Sequence, residues 1–149
     1  MLRYEASASI RAPIESIWPV LSDVLHWSRW TPTILQVEGL DGEELALVRR
    51  FRVHQPRLRP TIWRVTSIHP PTSFTWEART IGTRMTADHV LERTAPGETD
   101  LTLAFSFAGP LGGLVGRLTG RLVQSYLDTE AASLRRFTES GSADSSAPR

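Results

Sequence analysis

The residues able to do chemistry in this 149-residue chain are few. It has four histidines, at 26, 54, 69 and 89, and no cysteine. No histidine pair has H-E-x-x-H or His-x-His spacing, so no metal site is expected. Without cysteine there is no disulfide, no thiolate ligand and no sulfur nucleophile. Asp88 and His89 are adjacent. On a strand they face opposite sides and cannot form a dyad. No Ser/His/Asp order stands out. Neither G-x-G-x-x-G nor a Gly-Lys-Ser/Thr phosphate loop is present, and no cofactor is expected.

Three polar residues remain as candidates. In ELALVRRFRV, Arg49 shares an alternating face with Leu45, Leu47 and Phe51, and an inward arginine needs a carboxylate, a carbonyl or a ligand. His89 shares a face with Leu91. It is either a satisfied structural histidine or a ligand-contacting, acid–base one. Tyr126 sits on an apolar helical stripe, where its hydroxyl needs a partner. The run Arg49, Arg50, Arg52, Arg57, Arg59 and Arg64 is basic, but all seventeen basic residues are Arg and the net charge is only +1. Compositional bias explains the arginines, and no recognition helix accompanies them, so no nucleic-acid partner is expected.

The stretch GPLGGLVGRLTG poses a different question. Gly112, Gly116 and Gly120 fall on one stripe of a helical pattern, and each interior glycine costs roughly 0.5–1 kcal/mol relative to alanine. Arg117 and Arg121 interrupt the segment, which argues against a membrane dimer contact. The stripe either packs closely on a neighbour or leaves room at a cavity mouth. It is carried forward as a candidate portal.

These residues must be positioned by a simple order of elements. Residues 2–11 alternate and end at Ala12-Pro13, a first strand leading into a helix. Ile14, Ile17, Trp18 and Leu21 keep helical spacing, with a kink or break expected at Pro19. A short turn or second helix carries Trp27 and Trp30. TILQVEGL and ELALVRRFRV are read as a hairpin turning at Asp41-Gly42. TIWRVTSI, SFTWEART, TRMTADHVLER and TDLTLAFSF then follow through short connections, as in an antiparallel meander. In the last strand Leu101, Leu103, Phe105 and Phe107 share a buried face, and Thr102, Ala104 and Ser106 a wet one. From Pro110 to about Glu139, residues Val115, Leu118, Leu122, Tyr126, Leu134 and Phe137 recur at helical spacing. Residues 1–140 are read as one domain and 141–149 as a disordered tail. No apolar run has signal-peptide or membrane-spanning length, so a cytoplasmic location is expected.

The opening SASIRAPIESIWPVLSDVLHWSRWTP, the middle IWRVTSIHPPTSFTWE with TADHVLE, and the closing FAGPLGGLVGRLTGRLVQSYLDTEAASL together resemble the START-like, or SRPBCC, superfamily of helix-grip proteins. The resemblance covers about residues 3–139. It implies an α+β fold: a seven-stranded antiparallel sheet wrapped round a long C-terminal helix, with two short helices after the first strand. It also implies a cavity between sheet and helix for a hydrophobic ligand. No stretch is a catalytic signature.

The candidate ligand-binding residues are Trp27, Trp30, Arg49, Phe51 and Trp63, then Phe74, Trp76, His89 and Phe105 on later strands, and Val115, Leu118, Leu122 and Tyr126 on the helix. Trp76 with Phe74, and Trp63 with Val65, alternate correctly to face inward from neighbouring strands. The expected function is binding of a lipid, polyketide or aromatic metabolite. Two alternatives are a cyclase or dehydratase using the same cavity, and a protein-interaction module with a filled core. The expected partner is a small hydrophobic molecule, without stable membrane insertion.

Overall fold

The structure, a computed structural model, describes the backbone of residues 2–146 and the side chains of residues 2–141. Seven strands form one antiparallel sheet: β1 (Leu2–Ile10), β2 (Gln36–Gly39), β3 (Arg50–His54), β4 (Thr61–His69), β5 (Ser73–Thr80), β6 (Thr83–Ala95) and β7 (Glu98–Ala108). Their spatial order is β1-β7-β6-β5-β4-β3-β2. After β1 come helix α1 (Ile14–Ser22) and a 3₁₀ helix (Val24–Arg29), and the chain closes with α2 (Gly112–Ser146). This is the helix-grip architecture that the resemblance implies. Among the described residues no helix is long and apolar enough to cross a membrane.

Strict alternation builds the inner face. Phe74, Trp76 and Ala78 of β5 are buried, as are Ala87, His89 and Leu91 of β6 and Leu101, Leu103 and Phe107 of β7. The register places Trp76 opposite Ala87 and Ala87 opposite Phe105. A bulge between Val65 and Ser67 shifts the β4–β5 register; such irregularities bend and twist a sheet, here next to its apolar face. Thr102 is half-buried on the outer face, but Ala104 and Ser106 are only 1% and 6% accessible. That face is therefore not wet throughout: the long side chain of Arg3, whose strand position is opposite Ser106, reaches across to Asp88.

Several boundaries differ from the sequence expectations. Helix α1 runs through Pro19 to Ser22 without a break, forgoing the one backbone bond that a residue at 19 would donate to the Glu15 carbonyl. The expected hairpin forms, β2 pairing antiparallel with β3, but its two strands are joined by a ten-residue connection, 40–49, and not by a tight turn at Asp41-Gly42. Val48 adopts a φ of 62° there, ending the alternation assumed for ELALVRRFRV. Asp41 accepts hydrogen bonds from the Arg50 backbone and guanidinium at 2.8–3.0 Å and holds the loop closed. Helix α2 continues through residues 141–146, which the sequence had suggested as tail. Elongating an existing helix is cheap; the last part of that expected tail, 147–149, lies outside the described residues.

Helix α2 is 35 residues, about 52 Å, and lies chiefly on β1 and β7. A Cβ on Gly116 would come within 2.9 Å of Leu2 and 3.0 Å of the Phe107 ring, and one on Gly112 within 3.1 Å of the Phe107 backbone. A Cβ on Gly120 would meet the Tyr4 hydroxyl at 2.2 Å, and that hydroxyl donates to the Gly116 carbonyl at 3.0 Å. The portal expectation for Gly112, Gly116 and Gly120 is thus corrected: the stripe is a close-packing surface. Gly120→Ala should lower stability by about 1–3 kcal/mol despite alanine's better helix propensity. That corresponds to roughly 2–4 °C in Tm per kcal/mol. Combining it with Tyr4→Phe should recover part of the loss, as read by thermal melts; a raised Tm in Gly120→Ala alone would contradict the contact.

Candidate functional site

Because α2 rests on β1 and β7, it stands away from the strands on the far side of the curl. A cavity of about 220 Å³ lies between them. Its sheet wall is aromatic: Trp63 of β4 stacks on Trp76 of β5 at 5.9 Å, and meets Phe105 of β7 edge-on at 5.5 Å. Between the last two, on β6, sits Ala87. A methyl group flanked by two large rings leaves a hollow that a larger side chain would fill. Val115, Thr119, Val123, Tyr126, Leu127 and Glu130 of α2 form the opposite wall. The cavity reaches solvent beside Arg59 and Thr80, both exposed.

One end is closed by a ring cluster. Trp27 lies 5.2 Å from Trp76 and 6.1 Å from Phe74, and its indole N–H donates to the Leu21 carbonyl at 2.9 Å. His89 stacks on Phe74 at 4.1 Å with nearly parallel planes, and lies 5.5 Å from Trp27. Its Nδ1 is 3.2 Å from the Phe74 carbonyl, which assigns the proton to Nδ1. Nε2, with no hydrogen-bond partner among the described residues, is then a free acceptor on a ring that lines the cavity. Burial pushes the His89 pKa down to about 4, against small opposing effects of the Phe74 carbonyl and of Asp88. The Asp88 carboxylate itself points to the outer face, where Thr75 donates to it at 2.8 Å. The dyad excluded from strand geometry is absent here for that reason.

Sequence reasoning missed several wall residues, among them Ala87, Thr119, Val123 and Leu127, and one that bears on the chemistry, Glu130. It is half-buried at the inner end of α2's cavity face and accepts a hydrogen bond from Thr33 Oγ1 at 2.8 Å. Desolvation raises its pKa to about 7, with the Thr33 bond acting in the opposite direction. Its only sequence signal was the i, i+4 step from Tyr126, which is itself i+7 from Thr119. An acidic residue beside Asp128 reads as ordinary helix surface.

The structure brings seven of the candidates to the cavity: Trp27, Trp63, Trp76 and His89, with Phe105, Val115 and Tyr126. The Tyr126 hydroxyl donates to the Pro56 carbonyl, tying α2 to the β3–β4 connection. The others lie elsewhere. Phe51 and Phe74 are fully buried behind the rings that form the wall. Trp30 packs edge-on against Trp27, away from the cavity, with its indole N–H buried and unpartnered among the described residues. Arg49 is not on a strand: its guanidinium caps the Glu44 carbonyl at 2.9 Å over Gly42. Leu118 is 77% exposed and Leu122 half-buried beyond the cavity face. Of the helical stripe drawn through the large residues, Val115, Tyr126 and Leu134 turn inward, but Leu118 and Phe137 do not, since next to β1 the face that meets the sheet is the glycine one.

Solved structures share this fold. A Thermus thermophilus protein matches with a TM-score of 0.73 at 15% identity, covering 95% of this chain and 99% of that one. Ara h 8.0201 matches with a TM-score of 0.66 at 13% identity, covering 93% and 98%. The di-domain ARO/CYC BexL matches with a TM-score of 0.68 at 17% identity over 91% of this chain, which spans only 46% of BexL. No curated protein matches the sequence. At these identities the neighbours establish the START-like helix-grip fold alone. The sequence itself goes further, for residues 1–139 match a family model over nearly the whole domain, and the chain therefore belongs to the family described as polyketide cyclase / dehydrase and lipid transport.

Proposed function

We propose that the protein binds a small hydrophobic molecule in the cavity between the sheet and α2. The observation that carries this reading is the open space itself, walled by Trp63, Trp76 and Phe105 on one side and by Val115, Val123 and Leu127 on the other. At about 220 Å³ it exceeds the roughly 150 Å³ apolar cavity known to accept benzene. The polar groups are few, as in pockets that fix orientation with isolated contacts. His89 Nε2 accepts a hydrogen bond from a hydroxyl, and Glu130 in its protonated form donates to a carbonyl. The fit is to a ring-bearing, uncharged molecule with one or two oxygens. An interaction module with a filled core, the third expectation, does not fit an interior with this opening.

One observation favours a second reading, catalysis of the cyclase or dehydratase kind. A carboxyl group titrating near neutrality and a neutral imidazole share one cavity. Such divergence of pKa values is how sites separate an acid from a base. Glu130→Gln distinguishes the two: binding alone survives it, while turnover of a reactive poly-carbonyl compound does not.

Binding itself is tested by Ala87→Leu, which puts three carbons into the hollow between Trp76 and Phe105. Quenching of tryptophan fluorescence by an apolar aromatic probe should follow a binding curve in the native protein, because Trp63 and Trp76 form the wall. The variant should lose at least about tenfold in probe affinity, or about 1.4 kcal/mol, while its melt stays cooperative. Unchanged affinity would overturn the reading.

The two titrating groups also make a stability prediction. A buried histidine with a lowered pKa leaves the unfolded chain binding more protons between about pH 4 and 6.5, so its contribution rises with pH across that window. A carboxyl with a raised pKa leaves the folded chain binding more protons between about pH 4.5 and 7, so its contribution falls as pH rises. The two slopes oppose each other between pH 4.5 and 6.5. In Glu130→Gln only the histidine slope remains. The variant's stability, relative to the native protein, should then climb by roughly 3 kcal/mol between pH 4.5 and 7. Urea unfolding at a series of pH values reads this directly; parallel profiles for both proteins would contradict the assignment of Glu130.

A further inference from the structure

At the end of the sheet where the cavity opens, beside Thr80, the protein leaves several apolar side chains uncovered. Ile81 at the β5–β6 turn is 85% exposed, and Leu118 and Leu114 on α2 are 77% and 58% exposed. Leu111 joins them: its N–H donates to the Gly82 carbonyl at 2.8 Å, and its side chain lies against Gly82. Leu111, Leu114 and Leu118 follow one another at three and four residues, so the turn and the first turns of α2 present one apolar face. Thr80, Val115 and Thr119, next in the chain to Ile81, Leu114 and Leu118, line the cavity, so patch and opening lie at the same end of the molecule.

Charge at this end is one-sided. Residues 55–60, 79–84 and 109–121 hold six arginines and no acidic residue. With 17 basic and 16 acidic residues in all, the remainder has 11 against 16, a charge of −5 spread over the rest of a nearly neutral chain. Arg57, Arg59, Arg84, Arg117 and Arg121 make no ion pair among the described residues. Arg79 pairs with Glu77, yet stands directly across from Arg84, and like charges in that position repel.

We propose that this face docks on an anionic lipid bilayer. Ile81, Leu114 and Leu118 enter the boundary between headgroups and acyl chains, and the arginine collar meets the lipid phosphates. Apolar tips on a turn and a helix, flanked only by cations, match such a surface in both polarity and charge. Docking would set the cavity mouth against the membrane, although the surface stands independently of what fills the cavity.

The test is sedimentation of the full chain with vesicles of phosphatidylcholine alone and of phosphatidylcholine with about one-third phosphatidylglycerol. Binding should be at least about tenfold tighter to the anionic vesicles and weaken as salt rises. Leu118→Asp, and separately Arg117→Glu with Arg121→Glu, should each reduce it about tenfold or more while leaving cooperative melting and aromatic-probe binding in place. Ile81→Asp, on an exposed turn, gives the same readout should a helix variant fail to fold. Failure to bind, equal binding to both vesicle types, or variants that bind as the native chain does would overturn the proposal. So would Leu118→Asp abolishing self-association in a protein that never binds vesicles, since the patch would then be a contact between copies of this chain.

Discussion

Everything in the molecule depends on how closely α2 approaches one edge of the sheet. At Gly112, Gly116 and Gly120 the helix backbone lies against Leu2, Tyr4 and Phe107 with no room for a methyl group. The Tyr4 hydroxyl bonds to the helix backbone at the same place. A straight rod pressed against β1 and β7 cannot also touch the strands that curl away from it. The cavity is the wedge that remains. The roughly 1–2 kcal/mol of helix propensity given up by the interior glycines 116 and 120 is offset by this contact, which fixes the height of the rod above the sheet.

The wedge stays open because its walls are stiff. Trp27, Trp63, Trp76, Phe74 and His89 hold one another at ring distances of 4.1–6.1 Å, and Trp27 is anchored to the Leu21 carbonyl. Rings locked in this way cannot swing into the hollow above Ala87 without losing their own packing. On the other wall Tyr126 ties α2 to the β3–β4 connection and Thr33 tethers Glu130. The burial that desolvates His89 and Glu130 moves their pKa values in opposite directions, since it disfavours the charged form of each.

Much of the fold could be read from period alone. The limits of β5 follow from SFTWEART, with its alternation of Phe74, Trp76 and Ala78, and the family resemblance rests on the Pro13 entry to α1 and the W-x-x-W-x-P turn. Where the reading failed, a backbone or packing choice was hidden from pattern. Arg49 alternates with Phe51 in the sequence, but Val48 at positive φ takes it off the strand. Leu118 and Phe137 fit an apolar stripe, yet the true contact face is the one carrying the smallest residues, because the gap at β1 is too narrow for leucine. Glu130 was invisible because a helical glutamate is ordinarily solvated, and only the tertiary fold turns this one toward Thr33 and the cavity.

The central claim is that the interior between Trp63, Trp76, Phe105 and Val123 is open, apolar space. A crystal of the protein pressurised with xenon tests it most directly, since xenon enters dry apolar cavities. The account predicts xenon density beside Ala87, between the aromatic wall and α2. Well-ordered side chains closing that space, with no xenon bound there, would contradict it.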